Sequence, residues 1–471
     1  MKCIYNRCDY MQRALPRCPT GVPGFDEITE GGFIRGSLVL IAGHTGTGKS
    51  TFAAKFIYEG AKRWDEKGIY ILLNEPKEMF FKFMKSFGID LKTLEDEGKA
   101  IFIDVPSSTD IRTYREVLKS LYELIEKYNV RRLVIDSISS ISPLLKEGEL
   151  RAYLRNTLAS LGKMFGVTTI LIVDMPRGVT KMGVGVEEFI ADAIILFRLR
   201  PYRRGRASRW ISIVKMRGQP TITTNYELIL TGDGPEVIVP PKLEDIKHEF
   251  TEKIPLGVKY LDEILKGGIR KGTVTVIAGT TGSGKTLLLL NIASHNALKG
   301  RRILYVSLEE PITQLRLALR LLGVKYHDME NNLILKPLSI EMHTLGSLYV
   351  LFRDLIRRNN VNIVMLDSLS TFSRYFNLRE LRELMKYLAV FSRAYGVTFF
   401  SSLLIEQTKE FKTMISTIAD NYMVLYSRII NNKLMRFLRF IKLRAEVTPS
   451  ETFVVDLIPG KGFEVRPYVS R

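Results

Sequence analysis

The sequence predicts an α/β protein of two tandem domains of one kind, each a mostly parallel sheet flanked by helices. Two observations carry that expectation. Residues 20–51, TGVPGFDEITEGGFIRGSLVLIAGHTGTGKST, align without a gap to residues 256–287, LGVKYLDEILKGGIRKGTVTVIAGTTGSGKTL, at a constant offset of 236. A repeat this long is a duplicated domain rather than a solenoid unit. Within each copy, short apolar runs that do not alternate with polar residues are separated by helical patterns. Such runs suit strands buried on both faces of a parallel sheet.

In the first half the apolar runs are 38–42, 69–73, 100–103, 133–135 and 168–173, with helical periodicity over 112–127 and 151–165. The runs 191–198 and 209–215 follow with no helix between them, as antiparallel strands do. The second half repeats the scheme at 274–278, 302–306, 362–366 and 397–403. Between the halves, Gly232, Gly234, Pro235 and the Pro240-Pro241 pair break regular structure. The expected domains are therefore 1–240 and 241–471.

A chain of 471 residues is long enough for two domains, each with its own core. With 46% hydrophobic and 25% charged residues, the composition excludes a largely disordered chain, a fibrous repeat and a small disulfide scaffold. The first twenty residues are polar and charged, with no signal-peptide core, and no 18-residue uncharged apolar stretch follows. A cytoplasmic protein with no membrane partner is expected. Cys3, Cys8 and Cys18 lie together near the N-terminus with no fourth ligand and no nearby histidine. They read as free thiols rather than a zinc site or a disulfide framework. The net charge of +19 attracts phosphates, whether in nucleotides, nucleic acid or membranes. Only four glutamines, beside abundant Lys, Arg and Glu, fit a thermophile.

Gly43-His-Thr45-Gly46-Thr47-Gly48-Lys49-Ser50 and Gly279-Thr-Thr281-Gly282-Ser283-Gly284-Lys285-Thr286 both fit G-x-x-x-x-G-K-[ST]. Each follows a buried run and opens a helical pattern, the context that gives the motif meaning. The glycines let successive backbone N–H groups converge on phosphate oxygens, and the helix N-terminus favours the anion. Lys49 and Lys285 are expected to reach the β- and γ-phosphates of ATP. Thr51 and Leu287, next in each helix, complete the nucleotide-binding set. Ser50 and Thr286 are the expected Mg²⁺ ligands, together with Asp136 and Asp367, each at the end of an apolar run and each followed by Ser.

Hydrolysis needs a group that takes a proton from water at the γ-phosphate. The second strand of each half ends in candidates, Leu308-Glu309-Glu310-Pro311 and Leu73-Asn74-Glu75-Pro76. The halves differ in that Asn74 stands where the second half has Glu309. An amide can hydrogen-bond a water but cannot take its proton. The second domain is thus expected to carry most hydrolysis, with Glu309 as base and Glu310 in support.

These residues resemble the KaiC-type branch of the RecA-like ATPases over nearly the whole chain. The segment TGVPGFDEITEGG before the first phosphate loop and Glu-Glu-Pro after the second strand carry the resemblance. It implies two tandem RecA-like P-loop NTPase domains. Lys215-Met-Arg217 and Lys442-Leu-Arg444 match the family's Lys-x-Arg, which reaches the nucleotide of the neighbouring subunit. That implies a two-tiered ring, a homo-hexamer, and a catalytic role in trans for Lys215, Arg217, Lys442 and Arg444. Ile415-Ser416-Thr417-Ile418-Ala419-Asp420 matches the segment that clock members autophosphorylate. The first half has Glu187-Glu188-Phe189-Ile190-Ala191-Asp192 there. The family's clock protein has an extended C-terminal tail for regulatory partners. This chain ends at Arg471, soon after its last predicted strand, so clock-style regulation is not expected, and any regulatory partner is unknown.

A second reading stays open. RecA-like rings also thread nucleic acid, and the segments after the fifth strands, 174–187 and 405–415, read as pore loops carrying Arg177, Lys181, Lys409 and Lys412. Residues 198–209, RLRPYRRGRASR, hold six arginines and read as a hairpin tip. Only Tyr202 offers a stacking ring there.

Overall fold

The computed structural model describes residues 15–105, 111–140, 158–175, 190–202, 206–219, 225–239, 241–242, 244, 246 and 251–468. The chain divides into two compact units, Met1–Val239 and Pro240–Arg471. Each is built on a nine-stranded sheet.

In the first unit the sheet runs, from one edge, Ala100–Asp104, Gly68–Leu72, Arg132–Asp136, Thr168–Asp174, Leu38–Gly43 and Ala193–Tyr202, all parallel. Arg206–Met216, Asn225–Thr231 and Gly234–Val237 extend it antiparallel. The second unit repeats the order: Leu333–Pro337, Ile303–Ser307, Ile363–Asp367, Thr398–Leu404, Val274–Gly279 and Asn421–Ile430 parallel, then Lys433–Leu443, Thr452–Ile458 and Gly462–Pro467 antiparallel. The apolar runs lie on the strands where the sequence puts them. The two antiparallel late strands are longer than expected, because their polar outer halves pair with each other beyond the core.

The P-loop strand Leu38–Gly43 shows why the runs do not alternate. Val39 and Ile41 pack into the apolar cluster on one face, Leu38, Leu40 and Ala42 into that on the other. All six residues are buried. The strand is central, with Thr168–Asp174 on one side and Ala193–Tyr202 on the other, and the phosphate loop leaves its C-terminal end. Ligands of open α/β sheets bind at the carboxyl ends of the strands.

Two expectations change. Residues 405–415 are not an open loop, because the helix Lys409–Ile418 forms there. The Thr408 side chain accepts from the backbone N–H of Phe411 at 3.3 Å, capping it. Phe411, Met414 and Ile415 form its buried stripe at helical spacing. Ser416 and Thr417 therefore lie in the last helical turn. Cys3, Cys8, Arg177, Lys181, Glu187, Glu188 and Phe189 lie outside the described residues, as do 203–205 of the arginine-rich hairpin. Cys18 is buried on the two-residue strand Arg17–Cys18, and burial raises its thiol pKa above the ordinary range. Among the described residues no helix is long and apolar enough to cross a membrane.

Candidate nucleotide site

Each phosphate loop turns from its strand into a helix, Lys49–Arg63 or Lys285–Leu298, through a glycine in left-handed geometry. Gly48 has φ 97° and Gly284 φ 102°, values a side chain would strain. Gly43 and Gly279 are needed for a different reason. A Cβ on Gly279 would stand 2.0 Å from the Leu425 carbonyl oxygen of the adjacent strand, and one on Gly43 2.3 Å from that of Phe197. Beside Gly46 and Gly282 there is open space, as a cradle for an anion requires.

In the second unit the Lys285 ammonium donates to the Gly279 and Thr280 carbonyls, at 3.0 and 2.7 Å. Burial lowers its pKa, against the pull of Glu406, Asp367 and Glu309. In the first unit Lys49 makes the matching bonds to Gly43 and His44, at 2.8 and 2.9 Å. There it also pairs with Asp174 at 3.0 Å. In the second unit Leu404 takes the register position of Asp174 beside the P-loop glycine, and among the described residues that ion pair has no counterpart.

Asp136 and Asp367 end buried strands, directly across from the second strand of each sheet. The buried phenols of Tyr70 and Tyr305 donate to their Oδ2 atoms, at 2.7 and 2.8 Å. Burial raises the pKa of both tyrosines well above the ordinary phenol range, and the neighbouring carboxylate adds to this. Burial raises the pKa of Asp136 too, while hydrogen bonds from Ser50 and Tyr70 act against it. The Ser50 hydroxyl and the Asp136 carboxylate thus face one another. That hard-oxygen donor pair fits a magnesium ion carried by the nucleotide's phosphates. In the second unit Ser402 donates to the Oδ1 of Asp367.

In the first unit these groups line one cleft of about 410 Å³: Thr45, Gly46, Gly48, Lys49, Ser50 and Thr51, with Asn74, Glu75, Asp136 and Asp174. Arg209 and Leu230 complete the lining. Arg209 donates to the Gly46 carbonyl at 3.1 Å, so this arginine of the predicted basic hairpin belongs to the phosphate loop. Thr47 is buried and donates to the His44 carbonyl at 2.7 Å, holding the loop's turn. Gly284, Thr286 and Leu287 stand in the second unit where Gly48, Ser50 and Thr51 stand in the first.

Glu75 and Glu310 occupy matched positions, and the pKa of each is raised above the ordinary carboxylate range. Burial is the main cause, and the Asp136 or Asp367 charge adds to it. Glu309 is more exposed. Its Oε1 accepts from Thr371 at 2.5 Å and from Ser368 at 3.5 Å. In the first unit Asn74 donates to Ser137 at 2.9 Å and accepts from Ser140. Sequence reading missed Tyr70, Tyr305, Ser140, Thr371, Asp174 and Arg209. A tyrosine recurs in the middle of the second apolar run of both halves, which is the signal that could have drawn attention to them.

The Lys-x-Arg residues are engaged within their own units. Lys442 donates to the Ser416, Thr417 and Ala419 carbonyls at 3.1, 3.2 and 2.6 Å, closing the end of the helix Lys409–Ile418. The Ser416 and Thr417 hydroxyls both donate back to the Thr413 carbonyl, at 3.0 and 2.7 Å. Arg444 pairs with the buried Asp420 at 2.8 Å, as Arg217 pairs with Asp192 at 3.0 Å. Burial lowers the pKa of both Lys215 and Lys442, and the adjacent arginine lowers it further. Lys215 and Arg217 are not among the residues that line the first-unit cleft.

A family model for the KaiC ATPase matches residues 18–242 and again 254–470. The circadian clock protein KaiC3 of Synechocystis sp. is 29% identical over 455 residues, covering 92% of this chain and 88% of that protein. The circadian clock oscillator protein KaiC of Acaryochloris marina is 27% identical over 461 residues, covering 93% and 87%. The protein of the same description from Thermostichus vulcanus is 26% identical over 470 residues, covering 96% and 89%. With both units matched in sequence and built on the same sheet, the chain belongs to the KaiC family of ATPases.

Proposed function

We propose that the protein binds ATP at both phosphate loops and hydrolyses it mainly in the second unit, within a ring whose nucleotide state is the signal. The observation that carries this reading is the asymmetry at one position. Glu309 has a carboxylate hydrogen-bonded through one oxygen where Asn74 has an amide committed at both ends.

Lys49 and Lys285 neutralise the β- and γ-phosphates, and the loop N–H groups hold them. Ser50 with Asp136, and Thr286 with Asp367, hold the magnesium, which when bound offsets charge on the phosphate oxygens. Glu309 takes the proton of the attacking water, and Glu310 beside it keeps that water ordered. Lys442 and Arg444 act on the nucleotide of an adjoining copy, and Lys215 and Arg217 hold the first-unit tier together. On this reading each Lys-x-Arg exchanges its partners within the chain for a neighbour's phosphates when the ring forms. A homo-hexamer is the assembly the family resemblance implies. Ser416 and Thr417 are the candidate acceptors for autophosphorylation, with Glu309 as the base for the hydroxyl proton.

One experiment tests the core of this. ATP turnover is measured for the wild type, Glu309→Gln and Glu75→Gln, with γ-labelled ATP so that protein-bound label is read in the same samples. Glu309→Gln is expected to remove most turnover and Glu75→Gln to cost less. The reverse order would overturn the assignment of the second unit. Absence of label on Ser416 and Thr417 by mass spectrometry would remove the autokinase reading alone.

A further inference from the structure

We propose that Thr371 is a positioning residue for hydrolysis in the second unit, a role that rests on Glu309 being the base. Thr371 is the third residue of the short helix Leu369–Phe372, which begins two residues after Asp367. The short helix that directly follows the strand of the proposed magnesium-site carboxylate therefore delivers this hydroxyl. Thr371 is 6% exposed and Ser368 likewise 6%, so both are set by packing.

Glu309 is different. It is an exposed side chain with several rotatable bonds, and among the described residues the hydrogen bonds to its carboxylate come from Thr371 and Ser368. Holding such a chain still costs rotamer entropy. Thr371 donates to Oε1 at 2.5 Å, Ser368 stands 3.5 Å from the same oxygen, and the two hydroxyls are 3.3 Å apart. Among the described residues Oε2 accepts no hydrogen bond. One carboxylate oxygen is thus anchored by buried hydroxyls, and the other keeps its lone pairs for a proton.

The first unit supplies the comparison. Ser140 occupies the place of Thr371 and donates to the Asn74 oxygen. The Asn74 amide then donates to Ser137, which donates to Asp174 at 2.6 Å. The same hydroxyl holds whatever residue occupies the first acid position. With Asn there, both ends of the side chain are used up. With Glu, one oxygen remains for chemistry.

The test is steady-state ATP hydrolysis by the full chain with Mg²⁺, comparing wild type, Thr371→Val and Thr371→Ser. Valine keeps the shape and removes the donor. Thr371→Val is expected to lower kcat about tenfold, the rate equivalent of one ordinary hydrogen bond, and to leave KM unchanged. Thr371→Ser is expected to restore most of the rate. An unchanged kcat for Thr371→Val, or a loss that Thr371→Ser does not restore, overturns the proposal. A common thermal midpoint for the three proteins shows that the fold is not what changed. Glu309→Gln in the same assay separates the two readings. If it is fully active, the assignment of Glu309 fails, whereas an inactive Glu309→Gln beside a fully active Thr371→Val refutes the positioning role alone.

Discussion

Asp420 and Asp192 hold matching places in the two units, yet replacing them should have very different costs. The Asp420 side chain has no exposure and satisfies three donors: the Val274 N–H at 3.0 Å, Arg393 at 2.6 Å and Arg444 at 2.8 Å. Asp192 is 34% exposed and satisfies two, the Leu38 N–H at 3.0 Å and Arg217 at 3.0 Å. Removing one partner of a buried ion pair costs about 3–5 kcal/mol. Asparagine keeps an acceptor for the Val274 N–H, and Arg444 is half-exposed, so water relieves part of the loss. Asp420→Asn is then expected to cost about 3 kcal/mol. Asp192→Asn removes a pair that solvent already screens and should cost about 1 kcal/mol or less. For a domain of this size about 3 kcal/mol corresponds to a fall in Tm of roughly 6–12 °C, and 1 kcal/mol to roughly 2–4 °C. The two tryptophans, Trp64 and Trp210, both lie in the first unit. Intrinsic fluorescence therefore follows that unit, while circular dichroism follows both. Asp420→Asn should move a dichroism transition and leave the fluorescence transition in place, and Asp192→Asn should shift fluorescence slightly. Equal shifts for the two variants would refute the reasoning from burial and donor count.

Two further outcomes follow from the site. Because burial raises the pKa of Glu310 above its unfolded value, its contribution to stability is full below the ordinary carboxylate range and is lost as pH rises through the raised value. Glu310→Gln should therefore melt higher than wild type at neutral pH and lose that advantage in acid, read by thermal unfolding at both pH values. Gly279→Ala should abolish binding of a fluorescent ATP analogue at the second unit, since its Cβ would meet the Leu425 carbonyl. Gly282→Ala meets open space but has φ 74°, so it should weaken binding less.

Much of the fold was legible because it is a local property of the chain. The unalternated runs at 38–42 and 274–278 could be strands buried on both faces and little else, and the duplication supplied an internal check on each. The phosphate loops were legible for the same reason, since every residue of the cradle is contiguous. The tethers that organise the site were not legible, because each joins residues far apart in sequence through one polar atom. Tyr70 and Tyr305 read as apolar strand residues, and only the parallel register turns their hydroxyls onto Asp136 and Asp367. Thr371 read as nothing at all. The helix Lys409–Ile418 is a different kind of miss. Its stripe of Phe411, Met414 and Ile415 behind a Thr408 cap is a helical pattern in the sequence, whereas a pore loop has no local pattern of its own. That correction also changes the chemistry. Lys442 closes the carbonyl end of this helix, where Ser416 and Thr417 stand, and Arg444 sits on Asp420 just beyond it. The candidate phosphate acceptors and the candidate trans residues are therefore one hydrogen-bonded element of the second unit. Phosphate added to Ser416 or Thr417 would bring about −1.5 to −2 charges to the helix end that Lys442 neutralises. On the proposed ring, that charge and the phosphates of a neighbour's nucleotide would compete for the Lys442 ammonium.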